Sequence, residues 1–264
     1  MSPISISAVI LTRNEEARVR DCLRALTGWV DQVVVVDDCS TDRTISICES
    51  YRAEAIVHAS LDDYGGQRNL GLEAARSTWI LSLDADEVVT ESLRAEIIAR
   101  VSEPNAPSAF RIRRLNHLFG KALRHTDDGS RVALFRKVVG RYSSGVHEHL
   151  IVDIPAIPTL KNRILHYPYP TIASLIEKQN RYTSLEIRQR RDPAEARLRD
   201  LLVVPTRRFF AVFFRRHSIL DGIPGFAWAT FAAIYAFMAA AKRYESGVGS
   251  SVLAADRGGK DDGS

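Results

Sequence analysis

The sequence predicts an α/β fold built on a mostly parallel sheet with helices on both faces. Strand-like apolar runs alternate with helix-like segments through roughly the first hundred residues. Runs such as QVVVVDD and TWILSL are almost continuously apolar, which is typical of parallel strands buried on both faces. A long apolar run over residues 223–241 predicts an additional helical segment near the C-terminus.

The N-terminal elements follow one another in a regular order. ISAVIL predicts the first strand, and NEEARVRDCLRAL predicts a helix that begins with an Asn14 cap and acids in its first turn. QVVVVDD is the second strand, and STDRTISICESY predicts the next helix. AEAIVH, GGQRNLGLEAA and TWILSL then predict a strand, a helix and a fourth strand. In such sheets ligands bind at the carboxyl ends of the strands.

The regular alternation of strands and helices ends at about Pro104. SAFRIRRLNHLFG, RVALFRK and GVHEHLIV predict shorter, more antiparallel strands, and YPTIASLIEKQNRYTSLEIRQRR predicts a helix that ends near Pro193. We expect residues 1–103 and 104–170 to form the two halves of one domain. Residues 171–246 are expected to form a C-terminal helical region, and the Gly/Ser/Asp-rich residues 247–264 a disordered tail.

Composition limits the class of protein. The 264-residue chain has a net charge of +4 and the apolar content of a folded protein. Its three cysteines form no disulfide or metal pattern, which indicates a reducing compartment. The N-terminus turns polar at Arg13 and lacks a basic region before its apolar run, so we expect a first strand and no secretion signal. Arginines are concentrated in residues 181–216, which suits an anionic surface.

Two pairs of carboxylates end two of the predicted strands. Asp37 and Asp38 follow the second strand, and Asp84 and Asp86 follow the fourth. In a parallel sheet both pairs reach the same edge, and the i, i+2 spacing of Asp84 and Asp86 aims them the same way. Such acids repel one another unless a positive group lies among them, and a hard divalent cation is the usual one. The alternative for an isolated pair is a turn or cap.

Three motifs together resemble a known family. SAVILTRNEE, VVVVDDCSTDRT and QRNLGLEAARSTWILSLDADE, in that order over residues 4–100, are similar to the nucleotide-sugar half of glycosyltransferase family 2, which has the GT-A Rossmann-like fold. The resemblance implies that Asp86 is the principal ligand of Mg²⁺ or Mn²⁺, with Asp84 near the metal and the ribose. It also implies a set of donor contacts from Thr12, Asn14, Glu15, Asp37 or Asp38, Gln67 and Arg68. An exposed helix residue is the alternative for Arg68.

The general base is sought in the second half of the domain. GVHEHL resembles the His-Glu motif of small family 2 enzymes that act on the lipopolysaccharide core, where it follows a stretch similar to RVALFRK. By that resemblance Glu148 is the base, and the alternatives are Asp127, Asp128 or a surface salt bridge. His147 contacts the diphosphate or metal, or makes a structural hydrogen bond. His166 has the same two interpretations and ranks lower.

The segment QNRYTSLEIRQRR resembles the Asn-Arg-Tyr segment of the same enzymes. It lacks the tryptophan that follows arginine in processive family 2 synthases, which favours transfer of a single sugar. Arg181 then contacts an acceptor phosphate or lies on a solvated helix face, and the sequence leaves both open.

The apolar run over residues 223–241 approaches the length of a membrane-spanning helix, but its alanines and Pro224 make its hydrophobicity marginal. RRFFAVFFRRH precedes it and places aromatic residues between arginine pairs. This pattern favours an anionic membrane surface over nucleic acid. We expect peripheral or monotopic attachment to the cytoplasmic face of the inner membrane. The alternative is that the helix packs against the catalytic domain.

The sequence therefore predicts an inverting, metal-dependent glycosyltransferase. It would move one sugar from a nucleotide-sugar to a glycan or glycolipid acceptor, as in lipopolysaccharide core assembly. A sugar-phosphate nucleotidyltransferase is disfavoured because LTRNEEARV has no glycine-rich loop, and an oxidoreductase because no GxGxxG follows a strand. A membrane-associated scaffold without catalysis is the non-enzymatic alternative. The sugar, the nucleotide and the oligomeric state are left open.

Overall fold

A computed structural model of the chain describes residues 4–126, 130–145, 149–189 and 197–258, without the side chains of residues 188–189 and 247–258. The chain forms two compact units. One contains Met1–His117 and Asp128–Pro168, and the other contains Leu118–Asp127 and Tyr169–Ser264.

The first unit begins with a parallel block of four strands in the order β3-β2-β1-β4. The β1 strand lies at its centre, so its side chains are buried on both faces. The elements are β1 (Ile6–Thr12), α1 (Val19–Leu26), β2 (Gln32–Asp37), α2 (Thr44–Ser50), β3 (Glu54–Val57), α3 (Tyr64–Ala74) and β4 (Trp79–Asp84).

The second half of this unit continues the sheet with mixed strand directions. Beyond β4 the order is β8-β6-β11-β5, in which β8 is antiparallel to both neighbours and β11 is parallel to β6. The remaining elements of the unit are β5 (Glu87–Val88), α4 (Glu91–Val101), β6 (Ala109–Leu118), β8 (Ser130–Arg136), β9 (Gly140–Tyr142), β10 (Leu150–Val152) and β11 (Thr159–His166). The predicted α/β class with a mostly parallel sheet is confirmed.

The hydrophobic core lies on both faces of the sheet. On one face, Ile10 and Leu83 pack in a cluster that includes Leu23 of α1 and Leu93 of α4. On the other face, Val9, Val34 and Ile80 share a cluster with Leu72 of α3. Alternate residues of β1 therefore enter opposite clusters, as the pleat of a strand requires.

The predicted start of the first helix is wrong. The α1 helix begins at Val19, after Arg18, and has no side-chain cap. Asn14 instead has a positive φ of 53° in the loop that follows β1. This loop is held by long-range contacts, because the backbone N–H of Asn14 donates to Ser40 Oγ and its Oδ1 accepts from the N–H of Thr41. Tertiary hydrogen bonds thus replace the local cap that the sequence predicted.

The second unit is largely helical. Polar groups join α5 to α7: Gln179 Nε2 donates to the Phe231 carbonyl, and the Tyr235 hydroxyl donates to Glu186 Oε2, at 3.0 Å each. A π-helical turn, Ala211–Arg215, follows α6, where it displaces the helical register. The elements are β7 (Lys121–Ala122), α5 (Ile172–Gln189), α6 (Asp200–Phe210) and α7 (Gly222–Gly258).

The predicted apolar run lies within α7. Within the described part of the chain, Ser218–Ser246 is the one helical stretch long and apolar enough to cross a membrane, with a mean hydropathy of 1.5 and 28% of that window buried. Helical backbone continues to Gly258, past the proposed tail boundary at residue 247. The segment SSVLAAD, with its leucine and alanines, favours helix there despite the neighbouring glycines.

Candidate functional site

The two aspartates that follow β2 have different environments. Asp37 is fully buried, and its carboxylate accepts hydrogen bonds from Thr12 Oγ1 at 2.6 Å and from the N–H and hydroxyl of Ser40. These contacts fasten the end of β1 to the loop after β2. Asp37 and Thr12 therefore fix the geometry of this loop.

Asp38 is slightly exposed, whereas Asp37 is not. Its carboxylate accepts from the N–H and hydroxyl of Ser60 and from Arg13, which is half-exposed and 2.6 Å away. Burial would raise the pKa of Asp38, but the hydrogen bonds from Ser60 and the charge of Arg13 outweigh it and lower that pKa. Of the two, Asp38 is the more exposed.

Asp84 and Asp86, the acid pair at the end of β4, have different neighbours. The strand ends at Asp84, and the next two residues form a turn, so the alternation that would aim both carboxylates the same way stops there. The expectation that the two side chains converge through strand geometry is wrong for this reason. Asp84 faces arginines, whereas Asp86 faces a histidine.

Asp84 is bound by two guanidiniums. Its Oδ1 lies 2.6 Å from Arg68 Nη2, and its Oδ2 lies 3.0 Å from Arg114 Nη2. Burial would raise the pKa of Asp84, but the charges of Arg68, Arg131 and Arg114 outweigh it and hold that pKa well below its usual range. Asp84 is thus a fixed anion that positions arginines at the edge of the sheet.

Glu87 binds two arginines beside Asp84. Its side chain is fully buried and accepts from Arg114 Nε at 2.7 Å, Arg131 Nη2 at 2.5 Å and the N–H of Asp84 at 3.0 Å. Burial would lower the pKa of Arg114, but the charges of Glu87, Asp84 and Asp86 outweigh it and raise that pKa. Glu87, Asp84 and the three arginines therefore form one charge-alternating network.

Asp86 lies beside His166. Its side chain is 6% exposed, and its Oδ1 is 3.5 Å from His166 Nε2, while its Oδ2 is 3.8 Å from Arg18 Nη1. His166 Nδ1 lies 2.6 Å from Asn116 Oδ1, an amide oxygen that can only accept a hydrogen bond. This contact places the proton of a neutral His166 on Nδ1 and turns the lone pair of Nε2 towards the Asp86 carboxylate.

The pair of Asp86 and His166 fits a cation. A carboxylate oxygen and an imidazole lone pair repel each other unless a proton or a metal lies between them. A histidine that ligates a metal usually donates its other N–H to an acceptor such as Asn116. The described residues contain no group of three or more His, Cys, Asp or Glu side chains suited to a metal. These two ligands would therefore hold an ion that completes its coordination with substrate oxygens and water.

Glu15 and Arg18 frame the same end of the site. Glu15 Oε2 is 2.7 Å from Arg18 Nε. The Nη1 of Arg18 donates to the carbonyls of Tyr167 and Pro168, directly after His166. Glu15 thus orients Arg18, which in turn fixes the strand end that carries the histidine.

The α3 helix carries Gln67, Arg68 and Asn69. Arg68 is 5% exposed, so the exposed-helix alternative is wrong. Gln67 is also buried, and its Nε2 donates to the His58 carbonyl. Asn69 exchanges two hydrogen bonds with the backbone of Tyr142, at 2.9 Å and 3.0 Å. The chain that leads towards the His-Glu motif is therefore anchored on the helix that carries Arg68.

Several predicted residues are placed elsewhere. Arg181 lies on α5 in the second unit, is exposed, and has its guanidinium 5.4 Å from the Tyr182 ring centroid. The other predicted residues lie outside the described part of the chain: the base Glu148, its neighbour His147 and the alternatives Asp127 and Asp128.

Sequence reasoning missed Arg114, Arg131 and Asn116, and it did not pair His166 with Asp86. Arg114 and Asn116 are two residues apart on β6, so they share a face of that strand. Polar residues at i, i+2 in a strand flanked by apolar residues were the available signal. Their partners lie about 30 and 50 residues away in the chain, and only the folded sheet brings them together.

The chain is similar in sequence to known proteins. The model of glycosyl transferase family 2 matches residues 7–126. The lipopolysaccharide core biosynthesis glycosyltransferase LpsC of Rhizobium meliloti (strain 1021) is 28% identical and the match covers 92% of this chain and 93% of that protein. An uncharacterized glycosyltransferase of Rickettsia felis is 30% identical and the match covers 91% of this chain and 90% of that protein. A solved structure, S. aureus TarS 1–349, has a TM-score of 0.48 at 17% identity, with 92% of each chain covered.

The relatives match nearly the whole chain, and the family model matches the part that carries Asp38, Arg68, Asp84 and Asp86. Neither nucleotidyl transfer nor a scaffold without catalysis agrees with these relatives. The chain belongs to glycosyltransferase family 2 and is a glycosyltransferase.

Proposed function

We propose that the enzyme is metal-dependent and inverting, and that it transfers one sugar from a nucleoside-diphosphate sugar to a lipid-linked glycan at the cytoplasmic face of the inner membrane. The observation that carries the metal proposal is the 3.5 Å approach of His166 Nε2 to Asp86 Oδ1, with Nδ1 held by Asn116. The nitrogen ligand favours Mn²⁺ over Mg²⁺, because Mg²⁺ prefers oxygen ligands.

In this mechanism Asp38 and the loop held by Asp37 bind the nucleoside. Asp86 and His166 would hold the cation, which would supply positive charge to the leaving diphosphate. Arg13 and Arg18 border the site and add positive charge near the phosphates.

Glu148 is the proposed base. An inverting transfer needs a carboxylate that takes the proton of the attacking hydroxyl. Support comes from the anchoring of the chain before it. Asn69 binds Tyr142, and the Asp63 carboxylate accepts from the N–H of Gly145 at 2.8 Å. Glu148→Gln should abolish transfer while leaving nucleotide binding intact. Unchanged turnover would assign the base to another residue, with Asp127 and Asp128 tested next.

Thermal unfolding tests the metal and donor sites together. The protein is heated with Mn²⁺ alone, with UDP, GDP or TDP alone, and with each pair. A ligand pair at a hundredfold excess over Kd stabilises by about 2.7 kcal/mol, which raises Tm by about 5–10 °C. Asp86→Asn and His166→Ala should lose the Mn²⁺-dependent part and keep the unfolding temperature of the free protein. A full Mn²⁺ effect in both variants would refute the proposed ligands.

The acceptor proposal is supported by the relative that is named for lipopolysaccharide core biosynthesis. Such an acceptor carries its glycan on a lipid, so the enzyme would have to reach a membrane surface. We propose a peripheral or monotopic attachment through the second unit, which exposes Phe210 of α6, Phe214 of the π-helical turn and Phe237 of α7.

The contacts of α7 favour a surface position over a spanning one. Near its middle, the Phe231 carbonyl and the Tyr235 hydroxyl bind Gln179 and Glu186 of α5. Further along, Lys242 Nζ lies 2.6 Å from the Asn180 carbonyl. A spanning α7 would take these polar and charged groups of α5 into hydrocarbon, at a cost of several kcal/mol.

Flotation with vesicles tests the attachment. The protein should float with vesicles of phosphatidylcholine and phosphatidylglycerol, and Phe210→Asp with Phe214→Asp should reduce the floated fraction. A matched change in the first unit, Val57→Asp on the exposed side of β3, should not. Alkaline carbonate should release a peripherally bound protein, whereas a monotopic one should stay bound. Access of a membrane-impermeant thiol reagent to single cysteines at both ends of α7 from one side of sealed vesicles would support both forms, and access from opposite sides would indicate a spanning helix instead.

A further inference from the structure

An apolar groove runs between α6 and α7 in the second unit. It has a volume of about 420 Å³, within the range of small-molecule sites. Pro205 and Phe209 line it from α6, and Ala233, Ile234 and Phe237 line it from α7. All of its walls belong to one compact unit.

Neither polar lining residue of the groove offers a hydrogen-bond donor to it. Thr206 Oγ1 donates to the Leu202 carbonyl at 2.7 Å, and Thr230 Oγ1 donates to the Phe226 carbonyl at 2.9 Å. The donor of each threonine is therefore used within its own helix. A ligand whose buried oxygens must accept hydrogen bonds would find no donor among these side chains, which costs free energy, whereas a hydrocarbon chain has no such need.

Aromatic rings pack beside the groove. The Phe209 and Phe226 ring centroids lie 5.7 Å apart, and Phe213 lies 5.3 Å from Phe209 and 5.9 Å from Phe226. These rings join α6 and its π-helical turn to the start of α7. The helices are thus tied together there, while Ile234 and Phe237, further along α7, remain 38% and 46% exposed.

The charges around the groove specify the kind of lipid. Arg207 and Arg208 adjoin the lining residues of α6, and Arg215 and Arg216 end the π-helical turn, all four exposed. The one acid from residue 201 to residue 221 is Asp221, whose side chain is 3% exposed and already accepts several hydrogen bonds. This side of the unit therefore attracts anionic headgroups.

We propose that the groove takes up one acyl chain of an anionic phospholipid of the bilayer, with its headgroup bound by the arginines. This inference rests on the proposed membrane attachment and goes beyond it. It assigns a specific lipid site, whereas attachment requires only an exposed apolar face. A groove of this kind would seat the second unit on the membrane at a fixed depth.

Photolabelling of the full chain tests the site. The probe is phosphatidylglycerol with a diazirine in its acyl chain, as a minor component of phosphatidylcholine vesicles, and mass spectrometry maps the labelled residues. We expect labels on Phe209, Thr230 and Phe237. Ala233→Trp, which fills the groove, should lower this labelling about tenfold because a packed groove has no room for a chain.

The matched control is Ile223→Trp, since Ile223 lies on the same helix, is 81% exposed and does not line the groove. This variant should keep the labels. The smaller Ala233→Phe should reduce labelling as well, which guards against misfolding by tryptophan. Labels spread over the exposed face and unchanged by both Ala233 variants would overturn the proposal. Equal labelling by the phosphatidylcholine analogue would overturn its anionic part.

Flotation of the same samples separates the two proposals. If the wild-type protein floats and its groove stays unlabelled, attachment stands and the lipid site is refuted. In that case cross-linking within the chain or between two copies would identify the protein segment that fills the groove. If the protein does not float, the membrane attachment itself is refuted.

Discussion

Replacing Glu87 by glutamine should destabilise the fold strongly. Glu87 is fully buried and compensates Arg114 at 2.7 Å and Arg131 at 2.5 Å. A glutamine keeps one oxygen, but its NH₂ group would face a guanidinium donor. Removing one partner of a buried ion pair costs about 3–5 kcal/mol, which corresponds to a fall in Tm of about 6–20 °C.

Urea denaturation of the full chain measures this change, with Glu91→Gln as the control. Glu91 lies four residues away with 84% of its side chain exposed, and its loss should alter the unfolding free energy by less than about 0.5 kcal/mol. Adding Arg131→Gln to Glu87→Gln should recover about 1 kcal/mol or more, because it removes one uncompensated charge. A Glu87→Gln protein within about 1 kcal/mol of wild type would refute the network.

Three further changes test other parts of the structure. Because the pKa of Asp84 is lowered in the folded chain, its ionised form stabilises the fold fully above a pH of about 5. The stability difference between wild type and Asp84→Asn should therefore be constant from about pH 7 to about pH 5 and shrink as the pH falls below about 4 in urea titrations. Gly65→Ala places a Cβ 1.7 Å from the Ser143 carbonyl oxygen, whereas at Gly66 the nearest atom is a side-chain oxygen, so Gly65→Ala should cost about 1–3 kcal/mol more by urea denaturation. Asp221→Asn should cost about 2 kcal/mol in the same assay, because its buried carboxylate accepts from the backbone and side chains of residues 125 and 126.

The parallel block was predictable because its signals are local. Val34, Val35 and Val36 are fully or almost fully buried, as a continuous apolar strand in a two-sided sheet requires. The order of strand and helix was likewise readable from periodicity. The start of α1 was not, because Asn14 bonds to Ser40 and Thr41 across the site and not to the helix that follows.

The location of the candidate site was predictable from the sequence, but the pairs of side chains that interact within it were not. The acids could be placed at one edge of the sheet from the strand pattern alone. The partner of Asp86 could not, because His166 reaches it through the pairing of β11 with β5 and β6. That register depends on long-range contacts that leave no periodic signal in the chain.

The charge balance changes the reason for a metal ion. The sequence suggested that acids at one edge need a cation to reduce their repulsion, but the structure compensates them with arginines. In the cluster around Asp84 and Asp86, four carboxylates meet four guanidiniums. This cluster therefore has little net charge before the donor binds. The diphosphate of the proposed donor would then bring the uncompensated negative charge, and the proposed ion would be required by the donor more than by the acids. Metal and nucleotide should therefore each raise the affinity for the other by the same factor, so the two together should shift Tm by more than the sum of the two separate shifts. The balanced groups are Arg18, Arg68, Arg114 and Arg131 with Glu15, Asp84, Asp86 and Glu87.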